Sequence, residues 1–220
     1  MNSFCIQPSF AGSRESLAIE QYCLKNPKDN TFRFLEKPIQ GTIPIGSVEY
    51  CEHLLPNYDN QVVNFYPKFL EDYRRRSIRL QPKHFVKDAK RWKGDKTHIF
   101  DDCVYVSEYI KFDNEWRLYV ANGQVIVADW YAGDNEEAPL PQLKIQWPAE
   151  FSGAVDIGTV FNNPGMVALV EAHPPYACGW YGEGLDDYVV WQIAAWYSFL
   201  KHHTKWRFQP GYTATSFDRW

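Results

Sequence analysis

The stretch from Val104 to Tyr131, VYVSEYIKFDNEWRLYVANGQVIVADWY, constrains the fold of this chain more than any other segment. At its centre, Asn122-Gly123 predicts a β-hairpin, because both central residues of a type I′ turn need a positive φ. Before the turn, the residues alternate with the period of a strand. One face would carry Trp116, Leu118 and Val120, and the other Glu115, Arg117 and Tyr119. The first strand of the hairpin therefore presents an acid and a base on one face.

The bulk composition indicates a packed globular chain. Its 220 residues are enough to bury a core in one or two domains. Aromatic residues make up 17% of the chain, which argues against disorder. The formal net charge of −4 disfavours non-specific binding to nucleic acid, although a local basic groove remains an alternative.

The cysteines and the apolar segments indicate a cytoplasmic protein. The five cysteines are scattered and form no CxxC pair, so we expect neither a disulfide framework nor a structural zinc site. The first ten residues lack the basic flank and apolar core of a signal peptide. The most apolar window, from Tyr188 to Leu200, is about half the length of a bilayer span and contains Gln192. We therefore expect no membrane segment and no membrane partner.

The order of the predicted elements indicates an α+β fold. Three helices are predicted, over Ser13–Leu24 with Ser13 as N-cap, Phe65–Arg76 and Leu185–Lys201. A strand that runs into a turn and a further helix is predicted over Ile43–Tyr50. Other strands are predicted over His84–Lys87, Ala154–Gly158 and Met166–Glu171, with a surface loop over 133–150. This pattern predicts a small N-terminal αβ region over residues 1–80 and a larger sheet-based region over 81–220. A ligand cleft is expected where the two meet.

Three residues near strand ends form a candidate metal site. Asp156 follows an apolar strand, Glu171 ends another, and His173 lies two residues further on the same face. Carboxylates of this kind are the ligands that Mg²⁺ prefers, together with nucleotide phosphates and water. The alternative is that Asp156 caps a turn and that Glu171 is a solvated strand end.

Basic residues upstream form a candidate phosphate site. Lys87 follows a short strand, and Lys90, Lys93 and Lys96 surround Gly94 in a loop that could cover phosphates. The alternative for the lysine run is a solvated surface. The cluster Arg74–Arg76 has an alternative too, because cations at a helix C-terminus interact favourably with the helix dipole.

An extended segment before the hairpin has the features of an adenine site. Glu108 and the backbone at Tyr109 and Ile110 could hold the base, and Glu115 could accept hydrogen bonds from ribose hydroxyls. The alternative for Glu115 and Arg117 is a surface ion pair worth under about 1 kcal/mol.

Six short motifs occur in the order FVK, a basic Gly loop, SEYI, EWR-x-YV-x-NG, VDIG and LVEAHPPYACGWYG. In this order they resemble the ATP-grasp superfamily over about residues 46–196. More narrowly, the chain resembles a compact ATP-grasp group, common in phages and bacteria, that is named for one arginine and two lysines. The resemblance implies an ATP-grasp fold, in which two α+β subdomains clamp MgATP, behind an N-terminal pre-ATP-grasp region.

The resemblance also implies roles for individual residues. Lys87 would contact the α and β phosphates and Lys90 would belong to the phosphate loop, while Arg76 would replace the usual first lysine. Glu108, Tyr109 and Ile110 would hold adenine, and Glu115 the ribose. Arg117 would face the transferred phosphoryl group and, with Lys87, stabilise its charge. Asp156 and Glu171 would bind Mg²⁺, and His173 stands where the family usually has Asn, which leaves Mn²⁺ or a single ion as alternatives.

The activity implied by the family is ligation. An ATP-dependent carboxylate–amine ligase would form an acylphosphate, ADP and phosphate, acting on an amino acid, a peptide or a protein terminus. Its partners would be a small-molecule or peptide carboxylate and an amine. Two alternatives remain: a non-catalytic nucleotide-binding or interaction module, and a nucleic-acid end-modifying ligase that uses Arg74–Arg76 and the lysine loop. The sequence leaves the substrates and the oligomeric state open.

Overall fold

The computed structural model describes residues 1–55, 66–82 and 103–202. Its helices are α1 (Arg14–Lys25), α2 (Val48–Glu52), α3 (Glu71–Arg74) and α4 (Leu185–His202). Its strands are β1 (Asn2–Ile6), β2 (Asn30–Phe34), β3 (Ile43–Ile45), β4 (Ile78–Pro82), β5 (Cys103–Ser107), β6 (Phe112–Ala121), β7 (Gln124–Gly133), β8 (Gly153–Val160) and β9 (Asn163–His173). Helices combine with one parallel and two antiparallel sheets, which confirms the α+β class. The predicted strand His84–Lys87 and the lysine loop with Lys90, Lys93 and Lys96 lie outside the described residues.

The N-terminal region is a parallel sheet in the order β2-β1-β3. Helix α1 connects β1 to β2, and the Ser13 hydroxyl accepts a hydrogen bond from the Ser16 amide at 3.1 Å. This confirms Ser13 as the N-cap, a residue that can satisfy one of the unpaired amides at a helix start. The strand, turn and helix predicted from Ile43 are confirmed as well, because β3 leads into α2, which Ser47 caps by accepting from the Tyr50 amide.

The predicted hairpin is formed by β6 and β7. Its turn residues Asn122 and Gly123 have φ of 50° and 69°, as a type I′ turn requires. The Gly123 amide donates to the Phe151 carbonyl at 2.8 Å, which fixes the turn against the loop before β8. The predicted alternation is also confirmed. Trp116, Leu118 and Val120 lie in one hydrophobic core and Tyr119 in another, so β6 is covered on both faces.

Strands β6–β9 form an antiparallel sheet in the order β7-β6-β8-β9. The predicted strands β8 and β9 are confirmed, and β9 ends at His173, directly before Pro174-Pro175. Proline cannot donate to a strand ladder, which accounts for the stop. Residues 134–152 form the predicted loop without regular secondary structure.

The helix predicted over Phe65–Arg76 is wrong in length. Within the described residues 66–76, a 3-10 turn over Lys68–Leu70 leads into the single turn of α3. The helix ends at Arg74, and the next residue, Arg75, has a φ of 50° in the left-handed region that terminates helices. The predicted apolar face is retained, because Leu70 is buried and Tyr66, Phe69 and Tyr73 pack against the same core.

Two hydrophobic cores cover the two faces of the four-stranded sheet. The first contains β1, α1, α2 and α4 together with Tyr119 and Trp180. The second contains Leu70, Trp116 and Leu118. The first core therefore contains residues from before and after position 80. The division of the chain into regions 1–80 and 81–220 stays a prediction. Within the described ranges, no helix combines the length and the apolar character that crossing a bilayer requires.

The substitution Gly123→Ala tests the hairpin turn. A Cβ at this position would lie 2.5 Å from the Pro148 carbonyl oxygen, on a residue with positive φ. We expect a loss of at least about 1–2 kcal/mol in the free energy of unfolding, measured by urea denaturation. Gly165→Ala is the matched control, because its Cβ would meet no atom within 4 Å and its φ is unstrained. Equal stability of the two variants would contradict the role of the turn.

Candidate active site

A row of charged side chains crosses the antiparallel sheet. The register places Arg117 on β6 opposite Asp156 on β8, and Asp156 opposite Glu171 on β9. Residues opposite each other in a sheet point to the same face. His173 lies two residues after Glu171 and points the same way. The fold therefore gathers four of the predicted site residues from three strands.

Arg117 and Asp156 form a bidentate ion pair. Nε donates to Oδ1 at 2.7 Å and Nη2 donates to Oδ2 at 2.6 Å. Arg117 is 6% exposed and Asp156 is fully buried. Burial opposes both charged forms, but the hydrogen bonds and the opposite charges outweigh it. The pKa of Arg117 is raised, and the pKa of Asp156 is held below its usual range.

Two tyrosines and one carbonyl complete the surroundings of Arg117. The guanidinium carbon lies 4.9 Å from the ring centroid of Tyr181 and 5.6 Å from that of Tyr131. The remaining nitrogen, Nη1, donates to the Gly179 carbonyl at 3.3 Å. The Tyr131 hydroxyl donates to Glu115 Oε2 at 2.5 Å, so Glu115 is linked to Arg117 through the tyrosine.

Asp156, Glu171 and His173 form a compact cluster. His173 Nε2 lies 3.2 Å from Glu171 Oε1 and 3.6 Å from Asp156 Oδ2. Potential ligand atoms of the three residues all lie within 4.8 Å of one another. Burial alone would lower the pKa of His173, but the two carboxylates reverse this effect and raise the pKa to about 8. At neutral pH, the imidazole is therefore a cation between two anions.

The donor set of this cluster fits a hard divalent cation. Two carboxylates provide the oxygen ligands that Mg²⁺ prefers, and an imidazole suits Mn²⁺ better than Mg²⁺. Each Asp156 oxygen has a second lone pair beyond the one that Arg117 uses. The imidazole must lose its proton to become a ligand, so metal binding at His173 would release a proton.

Arg76 is held beside the same cluster. Its Nη1 donates to the Leu169 carbonyl at 2.5 Å and its Nη2 to the Val170 carbonyl at 3.0 Å. These carbonyls directly precede Glu171 on β9. The guanidinium also lies 5.9 Å from the ring centroid of Tyr66. The structure thus places Arg76 against the strand that carries Glu171.

Two hydrogen bonds connect Glu108, in the predicted adenine segment, to Ser77, the residue after Arg76. The Glu108 amide donates to the Ser77 carbonyl at 3.1 Å, and Glu108 Oε2 accepts from the Ser77 amide at 3.0 Å. Tyr109 is 87% exposed and Ile110 is half-buried. Lys87 and Lys90 lie outside the described residues. The nucleotide-binding roles of all these residues stay predictions.

Tyr131, Tyr181 and Gly179 were not predicted as site residues. The motif LVEAHPPYACGWYG contains Gly179 and Tyr181, but the sequence gives no indication that the segment folds back to Arg117. Tyr131 ends the hairpin stretch and could be read as an ordinary strand aromatic. Their role depends on contacts between distant parts of the chain, for which a single sequence carries no local signal.

A family model matches residues 63–190, and its description is an ATP-grasp domain, family 2 of the clade named for one arginine and two lysines. The chain belongs to this ATP-grasp family. The match confirms the resemblance and the ATP-grasp fold, and it includes every predicted site residue from Arg76 to His173. A search of curated proteins gave no match. ATP-grasp domains generally carry ATP-dependent ligase-type activity and bind ATP with Mg²⁺, which agrees with the donor set described above.

The buried ion pair predicts a large effect of Arg117→Ala. Removing the guanidinium leaves the fully buried Asp156 without its bidentate partner, which costs about 3–5 kcal/mol in the free energy of unfolding. Lys25→Ala is the control, because Lys25 pairs with Asp186 at the surface, where both side chains are more than half exposed. Its loss should stay below about 1 kcal/mol. Similar losses in urea denaturation would contradict the analysis of the buried pair.

His173 predicts a pH dependence of stability in metal-free buffer. Its pKa rises from 6.5 to about 8 on folding, so the folded state binds the proton more tightly than the unfolded state. The resulting stabilisation, about 2 kcal/mol, is fully present below pH 6.5 and is lost as the pH rises through 8. Unfolding measured between pH 6 and 9 should show this decline, and His173→Gln should remove it. A wild-type decline that persists in His173→Gln would assign the effect to another group.

Proposed function

We propose that this ATP-grasp chain is a carboxylate–amine ligase that acts on an amino acid, a peptide or a protein terminus through an acylphosphate. One observation carries the proposal: Arg117, Asp156, Glu171 and His173 converge on one sheet face within the matched domain. Transfer of a phosphoryl group needs cations where equatorial charge develops and carboxylates that hold a metal. The cluster supplies both kinds of group.

The reaction has two steps that balance. A substrate carboxylate oxygen bonds to the γ-phosphorus of ATP, the bond to the bridging oxygen breaks, and ADP leaves. The amine nitrogen then bonds to the acyl carbon, the bond to the phosphate oxygen breaks, and the amine loses a proton to solvent. ATP, the carboxylate and the amine are the substrates, and the products are ADP, phosphate and an amide.

Residues of the chain position the reacting groups in this proposal. Arg117 donates hydrogen bonds to the transferred phosphoryl group, and Tyr131 and Tyr181 shield its guanidinium from water. Asp156, Glu171 and His173 would hold a divalent ion, which supplies charge neutralisation on the phosphates when bound. The nucleotide contacts that we propose are those of Arg76, Lys87 and Lys90 with phosphates, of Glu108, Tyr109 and Ile110 with adenine, and of Glu115 with ribose.

A second candidate is a nucleotide-binding module without catalysis. It is favoured by the bidentate pair, in which each oxygen of Asp156 already accepts from Arg117. While this pair persists, Nε and one Nη2 N–H are occupied, and Gly179 takes one Nη1 N–H, so one N–H on Nη2 and one on Nη1 remain for a phosphoryl group. The carboxylate of Asp156 also offsets the charge of Arg117, which weakens the attraction of Arg117 for a phosphoryl group unless part of the contact is exchanged.

Glu171→Gln tests the ligase proposal. The amide keeps the shape of the side chain but removes one of two carboxylates from the metal site, so we expect ADP formation to fall by at least about tenfold. ADP, AMP and phosphate are measured by chromatography after incubation with ATP, Mg²⁺ or Mn²⁺, and a panel of carboxylates and amines. Glu137→Gln, in the exposed loop, is the matched control and should retain wild-type turnover.

The outcomes separate the two candidates. Full turnover in Glu171→Gln would show that the site is placed wrongly. ATP binding without ADP across the whole panel would favour the non-catalytic module. AMP in place of ADP would replace the acylphosphate with an acyladenylate.

A further inference from the structure

A cavity of about 80 Å³ lies between the N-terminal sheet and the segment that follows β9. Its wall includes Gly46 after β3, Glu15 in the first turn of α1, Gly179, and Tyr188 and Gln192 of α4. In the order β2-β1-β3, the chain passes from β1 to the strand on one side of it and then to β3 on the other side, so the strand order reverses at β1. Crevices at such switch points are common ligand sites in open parallel sheets.

Gln192 leaves a hydrogen-bond acceptor in this wall without a partner. The residue is 1% exposed, and its Nε2 donates to the Pro175 carbonyl at 2.9 Å. This bond fixes the orientation of the amide, because a carbonyl can accept from the nitrogen and not from the oxygen. Oε1 is buried without a hydrogen-bond partner among the described residues. Buried acceptors are normally paired, and a ligand or a water in the cavity can supply the donor.

The charge of the cavity wall also favours a positively charged hydrogen-bond donor. Among the described lining residues, Glu15 is the acidic group and no lysine or arginine is present. Glu15 Oε1 accepts from the Trp180 amide at 2.8 Å. The thiol of Cys178 and the hydroxyl of Tyr188 stay neutral, because burial raises the pKa of Cys178 to about 12 and that of Tyr188 well above its ordinary value. The wall therefore carries a negative charge and an unpaired acceptor.

The cavity lies directly behind the ion pair of the active site. Gly179 lines the cavity, and its carbonyl accepts hydrogen bonds from Arg117 Nη1 at 3.3 Å and from the Tyr119 hydroxyl at 2.8 Å. One residue of backbone thus separates the cavity from the group that would face the transferred phosphoryl. An occupant would lie next to the reacting centre.

We propose that this cavity binds the ammonium end of a small primary amine, with Gln192 Oε1 and the Glu15 carboxylate as its acceptors. An ammonium group has N–H donors for both acceptors and a charge opposite to that of Glu15. The volume exceeds the space of a single ordered water several-fold, which leaves room for a short alkyl chain. The assignment of this amine as the nucleophile of the ligase rests on the proposed function; the binding site itself does not.

Titration with short alkylammonium salts tests the proposal. Methyl-, ethyl- and n-propylammonium chloride are titrated into the full chain and followed by calorimetry and by amide NMR shifts, without ATP or metal. Tetramethylammonium, which has no N–H donor, and propionate, which is an anion, are the comparison ligands. We expect the primary ammonium ions to bind and to shift resonances of Gly46 and Gly179, and the two comparison ligands not to bind. The proposal is overturned by equal binding of tetramethylammonium or propionate, or by no binding of any primary ammonium ion.

Two variants and one control locate the site. Glu15→Gln keeps an oxygen for the Trp180 amide but removes the charge, and Gln192→Leu removes the acceptor. Each should weaken ammonium binding by about tenfold or more. Glu20→Gln, on the same helix but outside the cavity wall, should bind as the wild type does. Glu15→Gln keeps the acceptor oxygen for the Trp180 amide, so it tests the site even if Gln192→Leu does not fold.

The result is separable from the outcome of the ligase assay. Ammonium binding that depends on Glu15 and Gln192 in a chain without turnover supports the cavity assignment, although the ligase proposal fails. Ligase turnover whose KM for the amine is unchanged in Glu15→Gln and Gln192→Leu overturns the cavity assignment and leaves the ligase proposal in place.

Discussion

The buried ion pair between Arg117 and Asp156 is the interaction on which the rest of this structure depends. Two charges inside a protein lose much of their hydration, and a good geometry must offset that loss. Here the geometry is bidentate, and it is possible only if β6 and β8 pair in the observed register. A shift of either strand by one residue would place the two charged groups on opposite faces of the sheet. The pair therefore specifies the register of the central strands and, through Glu171 on β9, the position of the acidic cluster.

The segment between β9 and α4 connects this pair to the N-terminal sheet. The Gly179 carbonyl accepts from Arg117 and Tyr119, while the next amide, that of Trp180, donates to Glu15 on α1. A short run of backbone thus contacts the charged row on one side and the first helix on the other. Tyr119 and Trp180 also lie in the core that holds α1 and α4. For this reason the cavity adjoins the charged row, with Gly179 between them.

The sequence predicted the features that depend on neighbouring residues. Asn122-Gly123 determines its turn locally, and Ser13 caps α1 with a bond to a residue three positions away. The pairing of Arg117 with Asp156 was missed, because 39 residues separate the two and a single sequence does not reveal which strands pair. The local pattern offers Glu115 as the ion-pair partner of Arg117, whereas the predicted role of Asp156 as a metal ligand agrees with the observed cluster. The length of the helix predicted to end at Arg76 was overestimated for a similar reason. Arg75 adopts a left-handed conformation, and Arg76 then contacts the backbone of β9, a tertiary contact that the local sequence does not indicate.

The charges of the cluster bear on how a metal ion can enter it. With His173 protonated, two cations and two carboxylates leave the four side chains without net charge. A divalent ion that displaces the imidazole proton adds a net positive charge to a largely buried site, which is unfavourable there. The phosphates of a nucleotide would supply the negative charge that balances the ion. In the proposed reaction, metal and nucleotide together are therefore electrostatically favoured over the metal alone.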